Sequence, residues 1–196
     1  MHRRLWVALW LFVPVLAACG GGQVQRSISS PFTAEHEPIF ANGLDLVRDP
    51  EGMGGSWLRT WEDELDARVS NADLVLGVTV RTIRHDSDLD RRSTFRLFVH
   101  VDHRYYGEVE EELVLVTREG EAGFPTVRTN ERRLLDQQFV AFVKWQRDEA
   151  TEEVRARWHL SPATETVVQR VRTLLARHRQ IQNPDQSRER VIIRRH

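Results

Sequence analysis

The stretch Thr94–Tyr105, TFRLFVHVDHRY, carries apolar side chains at Phe95, Leu97, Val99 and Val101, with Arg96, His100 and Asp102 between them. A period of two sends the first set to one face of an extended strand and the second set to the other. Such a strand cannot stand alone, because its backbone groups need neighbours and its apolar face needs a cover. The same signal returns at Leu74, Leu76, Val78 and Val80 in LVLGVTVRTI, and at Val154, Ala156, Trp158 and Leu160 in VRARWHL. Glu112–Thr117 and the apolar run Phe139–Trp145, FVAFVKW, complete a set of five strands. The short polar links Arg84–Arg92 and Gln146–Glu153 make two of the connections antiparallel hairpins. Gly77, on the opposite face of its strand, is a position for a bulge or bend.

Two helices flank these strands. Ser56 is the expected N-cap of SWLRTWEDELDARVSNAD, in which Trp57, Trp61, Leu65 and Val69 recur every fourth residue and Asn71 suits the end. The two tryptophans are read as core packing in preference to a ligand platform. Ser161-Pro162 is the expected start of a second helix, whose stripe is Val167, Val168, Val171, Leu174 and Leu175. Between the third and fourth strands lies Arg118–Gln138, expected to be a long connection and the first choice for a contact surface. The expected fold class is α+β: a small five-stranded antiparallel OB-like β-barrel with an amphipathic helix before the first strand and one after the last. The domain plan is a globular unit over residues 56–179, preceded by an arm at 39–55 and a flexible tether at 19–38. A mobile tail follows at 180–196.

The strand order resembles OB-like barrels of the netrin and TIMP class. ADLVLGVTV looks like their first strand, TFRLFVHVDHRYYGEVEEELVLV like their second and third, and LLDQQFVAFVKW like the strand after the long connection. The cysteines that staple many of those domains are missing, so their inhibitor activity is not carried over.

The N-terminus reads differently. His2-Arg3-Arg4 is followed by twelve apolar residues, Leu5–Leu16, and then by Ala17-Ala18-Cys19, the only cysteine in the chain. The apolar run is shorter than the roughly 20 residues a membrane-spanning helix needs, and it fits the core of a secretory signal. Leu16-Ala17-Ala18-Cys19 resembles the lipobox of bacterial lipoproteins, which implies cleavage after residue 18 and acylation of the Cys19 sulfur. Two or three acyl chains would hold the protein stably on its membrane, where one would not. The absence of Asp at position 20 implies an outer-membrane destination, facing the periplasm or the cell surface. A cleavable secretory signal with an incidental free thiol is the alternative.

Composition narrows the function. The formal net charge is −1, and it becomes two units more negative once Arg3 and Arg4 leave with the signal, so nothing favours nucleic acid. Asp86, Asp88 and Asp90 have the opening spacing of a calcium loop, but Arg91 and Leu97 stand where Gly and Glu belong. His100, Asp102 and His103 offer ligand atoms, yet on a regular strand His103 faces away from the other two. His85 lies nearer the turn than His100. The acidic run Glu108–Glu112 reads as a solvated edge, and no nucleophile elbow, zinc helix or phosphate loop occurs. No catalytic residue, cofactor site or metal site is expected, and Cys19 as the lipidation point is the one site residue. The resulting expectation is a non-catalytic, lipid-anchored module that binds envelope proteins or polysaccharide. An envelope hydrolase or metal-dependent enzyme is the alternative.

Overall fold

The computed structural model describes residues 30–88, 92–148 and 151–182. The signal segment, Cys19, the first part of the tether, Asp90, Arg91 and the tail from residue 183 lie outside these residues.

The strands are β1 (Gly43–Leu44), β2 (Leu74–Ser87), β3 (Ser93–Tyr106), β4 (Glu112–Arg118), β5 (Gln138–Arg147) and β6 (Val154–Pro162). The α-helices are α1 (Gly55–Asn71), α2 (Phe124–Leu134) and α3 (Glu165–Gln182), with short 3-10 turns at Ala34–His36 and Glu51–Met53. The strands form one sheet in the order β1-β6-β5-β2-β3-β4. Every pairing is antiparallel except β1 with β6.

The α+β class stands, but the barrel is overturned: this is an open, six-stranded mixed sheet. Closure would require β4 to pair with the free edge of β6. That edge is instead used by β1, within the 39–55 segment expected to lie along the domain as an arm or short strand. The amides of Asn42 and Asp45 donate to the carbonyls of Trp158 and Leu160 at 2.9 and 3.0 Å. What links β4 to β6 is a side chain: the Trp158 indole Nε1 donates to the Val116 carbonyl at 2.9 Å.

Both faces of the sheet are covered, so period-two alternation fills two cores. On one face Leu76, Val78, Leu97, Val99, Leu115, Trp158 and Leu160 pack with Phe124, Val127 and Leu134 of α2. On the other, Val75, Val140 and Phe142 pack with Phe40, with Trp61, Leu65 and Val69 of α1, and with Val167, Val171 and Leu174 of α3. Each fully buried large side chain contributes about 1.5–3 kcal/mol. Ion pairs of Arg170 with Glu62 and of Arg177 with Asp66 join α1 to α3 at the surface, where such pairs add little.

Three local expectations change. The connection Arg118–Gln138 is not a bare loop, since Phe124–Leu134 is helical. Phe124, Val127 and Leu134 fall on one helix face at spacings of three and seven, and burying them is what folds the segment. Ser161 and Pro162 belong to the end of β6, and α3 begins at Glu165. The Thr164 hydroxyl, 3.4 Å from the Val167 amide, takes the place expected for Ser161. At the front of α1, Ser56 is already inside the helix. Gly54 precedes it at φ 61°, left-handed backbone that Gly adopts without strain.

Candidate functional site

Polar groups in the interior converge where β1, β6 and α1 meet. His159 and Ser161 stand two apart on β6, so their side chains share a face. The parallel pairing of Gly43 with His159 and Leu44 with Leu160 brings Asp45, the next residue, over that face. Asp45 Oδ2 accepts from the Ser161 hydroxyl at 2.7 Å and lies 3.1 Å from His159 Nε2. A carboxylate only accepts, so Nε2 carries the proton in this contact. Asp45 Oδ1 accepts the Val47 amide at 3.1 Å. From α1, Arg68 Nη1 approaches Asp45 Oδ2 at 3.6 Å, while its Nη2 donates to Glu64 at 2.8 Å. Ser161, His159 and Arg68 are all buried.

These three residue types, Ser, His and Asp, can support acyl transfer only when the imidazole holds the serine hydroxyl and the carboxylate holds the imidazole. Here the carboxylate sits in the middle and takes the hydroxyl itself. Ser161 has no exposed surface. The cluster is built to tie the N-terminal strand to β6 and α1.

Its electrostatics give the tie a pH dependence. Burial of His159 disfavours the imidazolium and holds the ring below its ordinary 6.5, although the bond to Asp45 opposes this. Burial of Asp45 acts to raise its carboxyl. The bond and charge of His159, the Ser161 hydroxyl and the Arg68 charge outweigh that, leaving it below 3.8. Both folded-state values are depressed, so the unfolded chain binds more protons and stability is lost as pH falls. The His159 contribution disappears as pH drops below 6.5 toward the folded value, and that of Asp45 on a further drop below 3.8. The melting temperature is therefore expected to fall between about pH 7.5 and about pH 5. In His159→Gln, whose amide still donates to Asp45, that step is expected to flatten. A wild-type melting temperature that stays level over this range is the contrary result.

Beside the cluster, α1 and the chain after β1 line a half-open cleft of about 190 Å³, bounded by Asp45, Val47, Ser56, Trp57, Thr60, Trp61 and Glu64. Trp57 and Trp61 behave differently, against the shared core role expected for them. Trp61 is buried with the second core, whereas Trp57 is 55% exposed. The spacing of four puts them on one side of α1, but Trp57 lies in the first turn, beyond the edge of what α3 and β5 cover.

The His and Asp side chains weighed as ligands in the sequence each have another partner. A register shift between Gly77 and Val78 marks a bulge, with Val101 opposite Val78 and His103 opposite Gly77. A Cβ built on Gly77 would meet the His103 Cβ at 3.2 Å, so His103 does not point away as a regular strand requires. Asp102 nonetheless accepts the Thr79 hydroxyl at 2.6 Å, and His103 lies against Tyr105. His85 stacks on Phe95. Asp86 accepts Arg96 Nε and Asp88 accepts the Arg92 amide. Among the described residues no three His, Cys, Asp or Glu side chains gather as a metal site. No helix among them is long and apolar enough to cross a membrane.

Comparison with protein-family models, with curated proteins and with solved structures gives no match.

The Asp45–His159–Ser161 cluster has no sequence expectation behind it. Its only local signal is the His-x-Ser spacing on β6, because Asp45 is more than a hundred residues away in the chain.

Proposed function

We propose that this chain is a lipid-anchored, non-catalytic binding module of the cell envelope, held through Cys19 and recognising an envelope protein or polysaccharide. The observation that carries the reading is Trp57, a large aromatic left 55% exposed on the rim of a cavity. A concavity lined by an aromatic side chain and a few polar groups is the default place for a domain to meet a ligand. An envelope hydrolase is the alternative, and the sealed Ser161 hydroxyl, bound to Asp45 instead of His159, weighs against it.

The anchor is tested by fractionation. The wild-type protein is expected in the membrane pellet with the mass of an acylated mature chain. Cys19→Ser is expected to lose the acyl mass and leave the pellet as soluble protein, or to persist as the uncleaved precursor. A Cys19→Ser product that is cut after residue 18 and still sediments with membranes overturns the anchor.

A further inference from the structure

We infer that the cleft beside Trp57 receives the basic side chain, arginine or lysine, of a partner protein; this rests on the binding reading above and names the partner's chemistry. At about 190 Å³ the cleft falls below the roughly 300–1,000 Å³ that encloses a drug-sized molecule. It fits one side chain whose backbone stays outside.

The walls carry more negative charge than they neutralise. Asp45 and Glu64 both line the cleft, and the Arg68 guanidinium serves both, through Nη2 to Glu64 at 2.8 Å and Nη1 to Asp45 at 3.6 Å. The longer contact is not a hydrogen bond, since Arg68 Nη1 has no such partner among the described residues. His159 does not supply the missing cation, because burial keeps its ring neutral near neutral pH. Two carboxylates against one guanidinium leave one negative charge in excess. The positive end of the α1 dipole, about half a charge, lies at the other end of the cleft, by Ser56, and does not cancel it. Glu64 is where that charge is open to a visitor. Its side chain is 55% exposed, and with Oε2 taken by Arg68 its Oε1 is left for a second donor. Asp45 is less open, at 18% exposed with both oxygens engaged.

Trp57 supplies the second, independent signal, an aromatic face 55% exposed at the rim. Trp57 and Glu64 stand on one side of α1, two turns or roughly 10 Å apart along its axis. A compact cation reaches one of them. An arginine or lysine side chain reaches both, because its apolar stem packs on the ring while its charged end meets the carboxylate. An anion would be repelled by these walls, and a neutral ligand would gain nothing from their charge.

The test uses the full acylated chain in a nonionic detergent. Heat of binding is followed for capped glycine peptides carrying one central arginine, lysine or citrulline, the last keeping the shape of arginine without its charge. The arginine and lysine peptides are expected to bind saturably, about tenfold or more tighter than the citrulline peptide. Their binding is expected to weaken as salt rises from about 0.02 M to about 0.5 M. Trp57→Ala and Glu64→Gln are each expected to weaken the arginine peptide by about fivefold or more, while Trp57→Phe retains most of the binding. Both positions are exposed, and Glu64→Gln keeps an oxygen for Arg68, so these variants are expected to fold. Absence of saturable binding by both basic peptides overturns the inference. So does equal binding of the citrulline peptide, undiminished binding by Trp57→Ala and Glu64→Gln, or tetramethylammonium bound as tightly as the peptides. Equal binding of the citrulline peptide would leave a binding module without a preference for charge. None of these outcomes alters membrane attachment through Cys19, so failure here is distinguishable from failure of the anchored-module reading.

Discussion

Replacing Lys144 with methionine is expected to lower stability by about 3–5 kcal/mol, the range seen when one partner of a buried ion pair is removed. Lys144 is the only lysine in the chain, and its side chain and that of Asp73 are completely buried. Its Nζ donates to Asp73 Oδ1 at 3.3 Å and to the Ser30 hydroxyl at 2.9 Å. Asp73 Oδ2 also accepts the Trp145 amide at 2.8 Å, which clamps the start of β2 to β5. Methionine fills similar space but removes the buried cation that faces Asp73 Oδ1. For a domain of this size the melting temperature should fall on the order of 10 °C. Adding Asp73→Asn removes the buried negative charge while its amide oxygen still accepts from the Trp145 amide. The double variant is therefore expected to be more stable than Lys144→Met alone, as measured by urea unfolding. A double variant no more stable than the single one would mean that the pair is not held by charge.

Gly123→Ala should be nearly as damaging, by about 3 kcal/mol, the upper end of what overpacking costs. Gly123 stands at the start of α2 and its backbone lies directly on β1. A Cβ there would fall 2.3 Å from Gly43 N and from Asn42 C, and 2.4 Å from Asn42 O. These are backbone atoms, so no side chain can rotate to relieve the clash. The Gly123 amide also donates to the Ala41 carbonyl at 2.8 Å, so the two segments cannot simply separate. The loss should concentrate at β1. Hydrogen exchange at the Asn42 and Asp45 amides is expected to accelerate more than exchange in β2 or β3. A variant with unchanged unfolding and unchanged exchange at those two amides would show that β1 does not depend on this contact.

Strands β2, β3 and β6 were legible because each carries its own alternation, and β5 because it is a continuous apolar run. Phe95, Leu97, Val99 and Val101 can be read without knowing what lies opposite, and all four are buried in one core. The α1 stripe of Trp61, Leu65 and Val69 was legible for the same reason at helical period. Helix α2 had a readable signal too, in Phe124, Val127 and Leu134 with Pro125 at its first turn, but so short an element is easily taken for loop. Strand β1 had almost none. Two residues show no periodicity, and their strand character comes entirely from the β6 carbonyls they meet. The barrel expectation failed at that point, since pairing patterns within strands say nothing about which edge a distant segment will occupy.

Alternating polarity along the chain was enough to determine an α+β protein with antiparallel hairpins and helices packed by one face, because those signals are local and period alone reveals them. Only the tertiary structure decided that the sheet stays open, that Asp45 joins His159 and Ser161, and that Trp57 stands outside the core while Trp61 lies within it. The first two depend on where the segment around β1 comes to rest, and all three are set by hydrogen bonds and close packing between residues far apart in the chain.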